Sequence, residues 1–381
     1  MAKDFDIVVY GASGFTGRLV AEYLGKTGHK SFAMAGRSEA KLAEVRDELG
    51  IDAPIVVADG DDEAALKSMA ESAKTVVTLV GPYQLYGNKL LKACIDAGTD
   101  YCDLCGEPAW MAAKIREAHE AAVASGARIV FSCGFDSIPS DLGVLHLQNK
   151  VKAASGAPSE RVKLLVRGMK GTFSGGTAAS FKATMAAAFQ DPQVLADLKN
   201  PFSLCPDFKG PRQPNLNEVR FDEDENTWLA PFVMAAINTK NVHRTNFLTG
   251  HAYGEGLVYD EMVMTGPGEK GEATANHLAA DKSMASDDGP KPGEGPSKEE
   301  RENGMFELAI IGHDASGTRY ESVVRGDKDP GYGSTSKMIS ETANCLNEDR
   351  PEGPGGILTP GAALGEDLIK RLHERAGVTF A

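Results

Sequence analysis

Short apolar runs alternate with amphipathic stretches over the first third of the chain. The apolar runs are rich in Val, Ile and Ala, which is typical of strands buried in a parallel sheet, and they cover residues 6–10, 31–35, 55–58, 75–80, 100–103 and 128–132. Between them, apolar residues recur at helical spacing over residues 15–26, 39–49, 62–72, 87–97 and 108–125. Because strands and helices alternate with short links, the sequence predicts an α/β fold with a doubly wound parallel sheet.

The alternation ends near residue 135, and a less regular pattern follows. A strand is predicted at 161–169 and a β-hairpin at 304–326. Helices entered through Gly-rich turns are predicted within residues 174–189, 329–346 and 355–377. Residues 266–303 are rich in Gly, Pro, Lys and Glu and poor in bulky apolar residues, so we expect a long, mobile surface loop there.

A run of glycines follows the first predicted strand, in the sequence GASGFTG. Gly11 permits a tight turn, Gly14 allows a pyrophosphate to approach the backbone, and Gly17 allows the helix to pack closely on the strand. The start of the helix then offers unpaired N–H groups to phosphate. We therefore expect a dinucleotide to bind at this turn, which is formed by Gly11, Ala12, Ser13, Gly14, Phe15, Thr16 and Gly17. An ordinary glycine turn is the alternative.

The end of the second predicted strand indicates which dinucleotide binds. NAD-selective sites place a carboxylate there, whereas this chain has Arg37 and Ser38, with Lys41 one helical turn later. A guanidinium pairs well with a 2′-phosphate, so these residues favour NADP(H) over NAD(H), and a solvated arginine is the alternative. We expect Asp59 to lie near the adenine. The segment expected to pass under the ribose and nicotinamide consists of Val80, Gly81, Pro82 and Tyr83.

Composition and charge exclude several functional classes. The 381 residues are 42% hydrophobic and 25% charged, and the net charge is −14, so no binding to nucleic acid is expected. The six cysteines are scattered, which is typical of a reducing compartment, and the pair Cys102 and Cys105 lacks a second pair with which to hold zinc, so no metal site is predicted. The first strand begins close to the N-terminus, and no uncharged run is long enough to span a membrane. We expect a cytoplasmic protein without a leader, and peripheral membrane contact stays open.

Eight motifs carry a family resemblance: GASGFTG, AGRSEAKL, VGPYQLYG, AGTDYCDLCGE, CGFDSIPSDLG, SGGTAAS, DPGYGSTSKM and GGILTPGAALG. Together they resemble the saccharopine dehydrogenase-like oxidoreductases along nearly the whole chain. The segments APFVMAAINTKNVHRTNFL and KPGEGPSKEERENG resemble the branch that includes the mycobacterial trans-acting enoyl reductases. The resemblance implies an NADP-binding Rossmann domain at 1–135, a second α/β domain for substrate or dimerisation at 136–330, and a C-terminal helical segment at 331–381 that returns to the first domain.

The resemblance implies a nicotinamide-dependent oxidoreductase, and three interpretations of its action stay open. The preferred one is hydride transfer from NADPH to a conjugated C=C of a hydrophobic, lipid-like or carrier-bound small molecule. The second is reduction of an imine between two amino acids, which would need a cluster of basic residues drawn from Arg167, Lys170, Lys182, Arg244 and Arg319. The third is a catalytically silent protein that binds NADP and acts by interaction. Contact with lipid or a carrier protein stays open, as does a homodimer.

Polar residues at the ends of the fifth and sixth predicted strands are the candidates for catalysis. Tyr101 and Asp103 lie in YCDLCGE, and Asp136 and Ser137 lie in CGFDSIPSD. Ligands bind outside the carboxyl ends of parallel strands, and an enolate formed by hydride transfer needs a proton donor and an oxyanion stabiliser. We expect Tyr101 to donate the proton and the helix start after Ser137 to hold the oxygen. The alternatives are structural, with Ser137 as a helix N-cap and the two aspartates as braces of their turns.

Overall fold

The computed structural model describes residues 3–28, 31–172, 175–281, 283 and 294–381. Its first part alternates between strands and helices: β1 (Phe5–Tyr10), α1 (Phe15–Lys26), β2 (Phe32–Gly36), α2 (Glu39–Leu49), β3 (Ile55–Val57), α3 (Glu63–Ser72), β4 (Ala73–Thr78), α4 (Tyr83–Asp96), β5 (Asp100–Cys102), α5 (Pro108–Ser125), β6 (Arg128–Val130) and α6 (Ile138–Ser155).

The second part is less regular, as its sequence pattern predicts. Its elements are β7 (Arg161–Lys170), α7 (Gly175–Gln190), α8 (Pro192–Lys199), β8 (Arg220–Asp222), β9 (Thr227–Pro231), α9 (Ala235–Leu248), β10 (Val258–Gly266), α10 (Gly268–Ala280), α11 (Lys298–Glu302), β11 (Met305–His313), β12 (Arg319–Gly326), α12 (Thr335–Asn344), β13 (Gly356–Leu358), α13 (Pro360–Ala363), α14 (Gly365–Arg371) and β14 (Val378–Phe380). Single π-helical turns cover Pro330–Ser334, Cys345–Asp349 and Leu372–Ala376.

The first sheet has seven strands in the order β13-β6-β5-β4-β1-β2-β3, and all neighbouring strands are parallel. β1 is apolar throughout its centre because both of its faces are covered: Ile7 and Val9 pack into one core and Val8 into another. Successive strands run outward from β1 to one side and from β4 to the other. This reversal opens a crevice at the carboxyl ends of the strands, where dinucleotides bind in such folds. The predicted doubly wound α/β fold is confirmed.

The second sheet also has seven strands, in the order β14-β12-β11-β7-β10-β9-β8. Among the strands that the structure describes, only β7 and β10 are parallel neighbours, and the predicted hairpin is present as β11 and β12. Helix α6 joins the two sheets, since it starts beside the first sheet and packs on the second. Gly143 makes this packing close: a Cβ there would lie 2.9 Å from Ile310 and 3.0 Å from Val324.

The C-terminal segment is tied to both sheets. β13 pairs with β6 in the first sheet, β14 pairs with β12 in the second, and α12 packs against α1. The return to the first sheet therefore includes a strand as well as helices, and the domain boundaries at 135 and 330 stay a prediction. No helix in the described ranges is both long and apolar enough to cross a membrane.

Residues 266–303 differ from the loop that the sequence predicts, because helices α10 and α11 lie within them. The expectation of a structureless loop is wrong for these helices, while residues 282 and 284–293 lie outside the described residues. α10 is mostly polar and buries only Gly271 and Ala275, so its sequence lacks the apolar periodicity by which helices are recognised.

Candidate active site

The turn between β1 and α1 has the shape that a dinucleotide requires. Gly11 has φ +87°, and a Cβ on it would lie 2.8 Å from the Val80 side chain. A Cβ on Gly17 would overlap the backbone at Gly11, so helix and strand pack as the sequence predicts. Gly14 is the N-cap of α1 and provides no side-chain cap, so the first N–H groups of the helix remain available to a phosphate.

The other residues of this turn differ in exposure. Ala12 is buried beneath it, whereas Ser13, Phe15 and Thr16 are half-buried.

The residues at the ends of β2 and β3 lie on the exposed side of the crevice. Arg37 is exposed and makes no hydrogen bond or ion pair within the described part of the chain, so its guanidinium is available to a ligand. Ser38 is the N-cap of α2, where its side chain accepts a hydrogen bond from the exposed Lys41 N–H at 3.4 Å. Asp59 is exposed, and its carboxylate accepts a hydrogen bond from the Asp61 N–H at 2.9 Å.

The segment after β4 divides into exposed and supporting residues. Gly81 is exposed and Val80 half-buried, so both can contact a ligand, whereas Pro82 and Tyr83 are buried. The Tyr83 hydroxyl donates a hydrogen bond to the Thr78 carbonyl at 3.2 Å. Tyr83 thus supports the segment from below.

Glu107 fixes this segment in place. Its carboxylate accepts hydrogen bonds from the N–H groups of Tyr83 and Gln84, at 2.8 Å each, and thereby caps helix α4. It also accepts a hydrogen bond from the Ser180 hydroxyl of α7 at 2.9 Å. The carboxylate therefore connects the edge of the first sheet to α7.

Tyr101 and Asp103 form a buried pair beneath the edge of the sheet. The Tyr101 hydroxyl donates to Asp103 Oδ2 at 3.0 Å, and Asp103 Oδ1 accepts from the N–H groups of Cys105 and Ser132 at 2.9 Å each. Burial raises the pKa of Asp103 to about 7, and burial with the nearby Asp103 raises the pKa of Tyr101 well above its usual value. Both side chains are fully enclosed, so the geometry shows a brace, and the proton-donor role of Tyr101 stays a prediction.

Asp136 has different surroundings. It is half-buried, its Oδ1 is enclosed, and this oxygen has no hydrogen-bond partner among the described residues. Its Oδ2 lies 3.5 Å from where a Cβ on Gly106 would be, so the carboxyl group faces the loop that carries Glu107. Burial, with a contribution from the negative charge of Glu261, raises the pKa of Asp136 to about 7. An unpaired carboxyl group that titrates near neutrality suits proton transfer.

The start of α6 differs from the expected oxyanion site. Ser137 is fully buried, does not cap the helix, and its hydroxyl accepts a hydrogen bond from Asn241 at 2.8 Å. The N–H groups of Ser137 and Ile138 already donate to backbone carbonyls, and Pro139 has none. The N–H groups of Ser137 and Ile138 are therefore unavailable to a substrate oxygen, and any role of Ser137 in the reaction stays a prediction.

Three further residues complete a buried polar layer that the sequence analysis missed. Glu261 on β10 is fully buried and accepts hydrogen bonds from Asn238 at 2.9 Å and from the Tyr259 hydroxyl at 2.7 Å. The side-chain carbonyl oxygens of Asn238 and Asn241 are buried and have no partner among the described residues. Burial raises the pKa of Glu261 to about 7. The available signal in the sequence was the spacing of the two asparagines, three apart, which places them on one face of helix α9 in the structure.

Helix α7 lies along the same edge and is unusually apolar. The side chains of Gln84 and Thr184 form a hydrogen bond of 3.1 Å, and the Thr177 and Tyr332 hydroxyls lie 3.2 Å apart. Lys182 is the only charged residue of the helix, while Met185 is 41% and Phe189 87% exposed. Its exposed face therefore offers apolar surface to a ligand.

Three of the basic residues proposed to hold substrate carboxylates serve other purposes. Arg167 and Arg319 both pair with Glu321 on the second sheet, at 2.8 and 2.6 Å. Arg244 is buried and donates hydrogen bonds to the carbonyls of Leu204 and Ile357. These three side chains do not converge on the crevice.

Metal chemistry finds no support among the described residues, where no three His, Cys, Asp or Glu side chains come together as a metal site would need. The six cysteines are all buried and free. A cavity of about 480 Å³ beside Lys3 and Lys74 lies at the opposite, amino edge of the first sheet.

Comparison with known proteins places the chain in a family. The model of the saccharopine dehydrogenase NADP-binding domain matches residues 7–130. A trans-acting enoyl reductase of Mycobacterium ulcerans is 35% identical over 413 residues, which span 100% of this chain and 98% of the relative. A protein of Mycobacterium tuberculosis, provisionally given the same name, is 39% identical over 99% of this chain and 97% of its own. The chain belongs to the trans-acting enoyl reductase branch of the saccharopine dehydrogenase-like oxidoreductases.

A more distantly related protein has a similar fold. The L-glutamate-forming saccharopine dehydrogenase of Saccharomyces cerevisiae superposes with a TM-score of 0.57 over 99% of each chain, at 13% identity. This likeness shows a common fold.

As a member of this family, the protein is an NADP-dependent oxidoreductase that acts on a small molecule. The crevice fits the cofactor, because the uncapped start of α1 can receive the pyrophosphate and the exposed Arg37 can receive the 2′-phosphate. The expectations of an oxidoreductase, of NADP(H) and of the saccharopine dehydrogenase-like family are confirmed. The individual contacts of the predicted cofactor residues stay predictions.

Proposed function

We propose that this enzyme uses NADPH to reduce a C=C bond conjugated to a carbonyl in a hydrophobic substrate that is lipid-like or bound to a carrier. The observation that carries the proposal is the presence, at one loop, of the largely apolar helix α7 and the half-buried carboxyl group of Asp136. Both approach the loop that carries Gly106 and Glu107. The names of the relatives support reduction of an enoyl group by the family.

NADPH, when bound, supplies the hydride to the β-carbon of the double bond, which leaves an enolate. Asp136 then supplies the proton to the α-carbon, so the product gains two hydrogens and the cofactor leaves as NADP⁺. Because its pKa is about 7, a large fraction of Asp136 carries this proton at neutral pH. Its partial exposure allows the carboxylate to be reprotonated from water after each turnover.

Reduction of an amino-acid imine is the less favoured alternative. Such a substrate carries several carboxylates, and a site for it needs several unpaired cations. Arg167, Arg244 and Arg319 are committed to other contacts, and α7 contributes a single charge. The crevice therefore suits an uncharged substrate better.

The test is anaerobic oxidation of NADPH with a panel of enoyl thioesters, enoyl ketones and cyclic imines, followed by absorbance and mass spectrometry. We expect oxidation with an enoyl substrate and a product that is heavier by two hydrogens. Enoyl chains linked to coenzyme A and to an acyl carrier protein, compared at equal length, measure the preference for a carrier. Oxidation with imines alone would reject the proposal, and NADPH binding without oxidation by any acceptor would favour the silent protein.

A further inference from the structure

Arg301 lies over the dinucleotide turn, although it belongs to a segment between strands of the second sheet. Its guanidinium carbon is 5.5 Å from the centre of the Phe15 ring. Phe15 is the first residue of α1 and follows the N-cap Gly14, so its ring stands at the mouth of the phosphate site. The same ring receives Tyr332 edge-on, with the ring centres 5.2 Å apart.

The segment that carries Arg301 is held in place by hydrogen bonds within the protein itself. Ser297 and Glu300 form a reciprocal capping box at the start of α11, and the Arg301 side chain donates to the Pro296 carbonyl at 2.6 Å. The Arg301 carbonyl accepts the N–H of Asp329 at 3.0 Å. One hydrogen bond therefore holds the guanidinium, while the capping box and the Asp329 N–H hold the backbone of the segment that carries it.

Asp329 also positions Tyr332, the second residue on the Phe15 ring. Its carboxylate accepts hydrogen bonds from the N–H groups of Tyr332 and Gly333, at 3.0 and 2.7 Å. Arg301 and Tyr332 therefore reach Phe15 from one preassembled unit.

The Arg301 guanidinium forms no ion pair with the protein: within the described residues no carboxylate lies within ion-pair distance of it, and the Pro296 carbonyl accepts its only hydrogen bond. Asp329, whose carboxylate senses the charge of Arg301, is occupied by two backbone N–H groups. The uncapped, positive end of α1 begins at Phe15, the residue whose ring Arg301 contacts. Two positive groups that meet at one residue, in a chain of net charge −14, are stabilised when an anion binds between them.

We propose that Arg301 binds the pyrophosphate of NADP(H) and so completes the cofactor site from outside the first sheet. The backbone N–H groups of α1 receive the anion from one side, and the guanidinium receives it from the other. This inference rests on the dinucleotide site and is independent of the enoyl substrate proposed above.

The test compares the dissociation constants of NADPH and NADH, measured by calorimetry without any substrate. Arg301→Ala should raise both constants by the same factor, about tenfold or more, because the pyrophosphate is common to both cofactors and charged hydrogen bonds are strong. Arg37→Ala should weaken NADPH alone. The matched control is Lys298→Ala, which removes a charge from the solvent-exposed face of the same helix and should leave both constants within about twofold.

Three results would overturn the proposal: unchanged constants, a loss confined to NADPH, or equal effects of the Arg301 and Lys298 variants. The unfolding temperature of each variant without cofactor identifies any folding defect. If Arg301→Ala fails to fold, Arg301→Gln retains a donor for the Pro296 carbonyl and should show the same equal loss. Since no acceptor is present, failure of enoyl reduction would leave this result standing.

Discussion

Asp103 and Asp136 are carboxyl groups whose pKa values burial raises to about 7, but their contacts differ. Asp103 accepts three hydrogen bonds that hold the loops after β5 and β6, whereas one oxygen of Asp136 has no partner among the described residues. Hydrogen bonds to three donors stabilise the charged form of Asp103, and only burial and a neighbouring charge act on Asp136. The free carboxyl is the one suited to exchange a proton with a substrate.

Asp136→Asn should lower kcat by about 10²–10⁴ and leave NADPH affinity unchanged, since the amide keeps the shape but cannot donate a carboxyl proton. In the wild type the acid form reacts, so kcat should fall as pH rises through about 7. The measurement is kcat for NADPH oxidation between pH 5.5 and about 9, on the substrate found in the panel. The variant should lose this pH dependence.

Tyr101→Phe is the matched control for that experiment. It removes one hydrogen bond to Asp103, so we expect a loss of about 1 kcal/mol in the free energy of unfolding and unchanged kcat per folded enzyme. A fall in kcat comparable to that of Asp136→Asn would return the donor role to Tyr101 and contradict our assignment.

Arg37→Ala should weaken NADPH binding by about 1–3 kcal/mol and barely change NADH binding, because only NADPH carries the 2′-phosphate. Competition binding with the two cofactors measures the difference. Arg46→Ala, on the helix α2 that follows Arg37, is the control, since Arg46 already pairs with Asp47. Equal losses for both cofactors after the Arg37 substitution would show that this residue does not read the 2′-phosphate.

At the scale of elements, helix α7 has two kinds of residue: some contact the first sheet, and others present apolar side chains to solvent. Ser180 and Thr184 face the first sheet and bond to Glu107 and Gln84, while Met185 and Phe189 are exposed. A helix in contact with solvent usually shows charged residues on its outer face, and this one shows apolar residues. A long apolar substrate chain that lies along α7 during the reaction would explain why the outer face of this helix is apolar.

Phe189→Ser should therefore raise KM about tenfold for long-chain enoyl thioesters and leave KM for short-chain ones unchanged, because only the long chain reaches the helix. Steady-state kinetics with two chain lengths measures the effect. The control is Val233→Ser, another exposed apolar residue (53%) on a different segment, between β9 and α9. Equal changes for both chain lengths would argue against an acyl groove along α7.

Elements with strong local signals were predictable, and those defined by distant partners were not. The alternating strands and helices of the first sheet follow from apolar runs and from turn residues such as Gly11 and Gly50, which ends α2 in a left-handed conformation. The order of the second sheet depends on pairing between distant strands, and α10 is too polar to show a periodic face. The residues that surround Asp136 and Arg301 likewise come from distant parts of the chain: Gly106 and Glu261 lie near Asp136, and Phe15 lies near Arg301. These surroundings could therefore not be derived from the sequence.

At the scale of the whole molecule, the two sheets are connected more than once. α6 crosses from the first sheet to the second, β13 returns to the first, and β14 ends in the second. The buried polar layer of Asn238, Asn241 and Glu261 lies along this connection, beside Ser137 at the start of α6. The protein thus buries titratable groups where its two sheets meet, which affects its stability as well as its chemistry.

The stability of the whole chain should decrease as pH rises from about 6.5 to 8. Four carboxyl groups have pKa values raised to about 7 by burial: the fully buried Asp103, Asp141 and Glu261, and the half-buried Asp136. In that interval the folded state holds more protons than the unfolded state, whose carboxyl groups are already ionised, so the free energy of unfolding falls as pH rises. Histidines with lowered pKa values change the stability at pH values below this interval. Lys240, with a pKa of about 8, changes it at pH values above the interval.

Urea denaturation at several pH values within the interval measures this effect, and Asp136→Asn should reduce the slope because it removes one of the four groups. Asp136→Asn is thus tested in two independent ways, by kcat and by the free energy of unfolding, because the unfolding measurement requires no substrate. A free energy of unfolding that stays constant or rises up to pH 8 would mean that these carboxyl groups ionise in the folded protein as they do in water. Asp136 would then be ionised at neutral pH, and the proton for the enolate would have to come from another group.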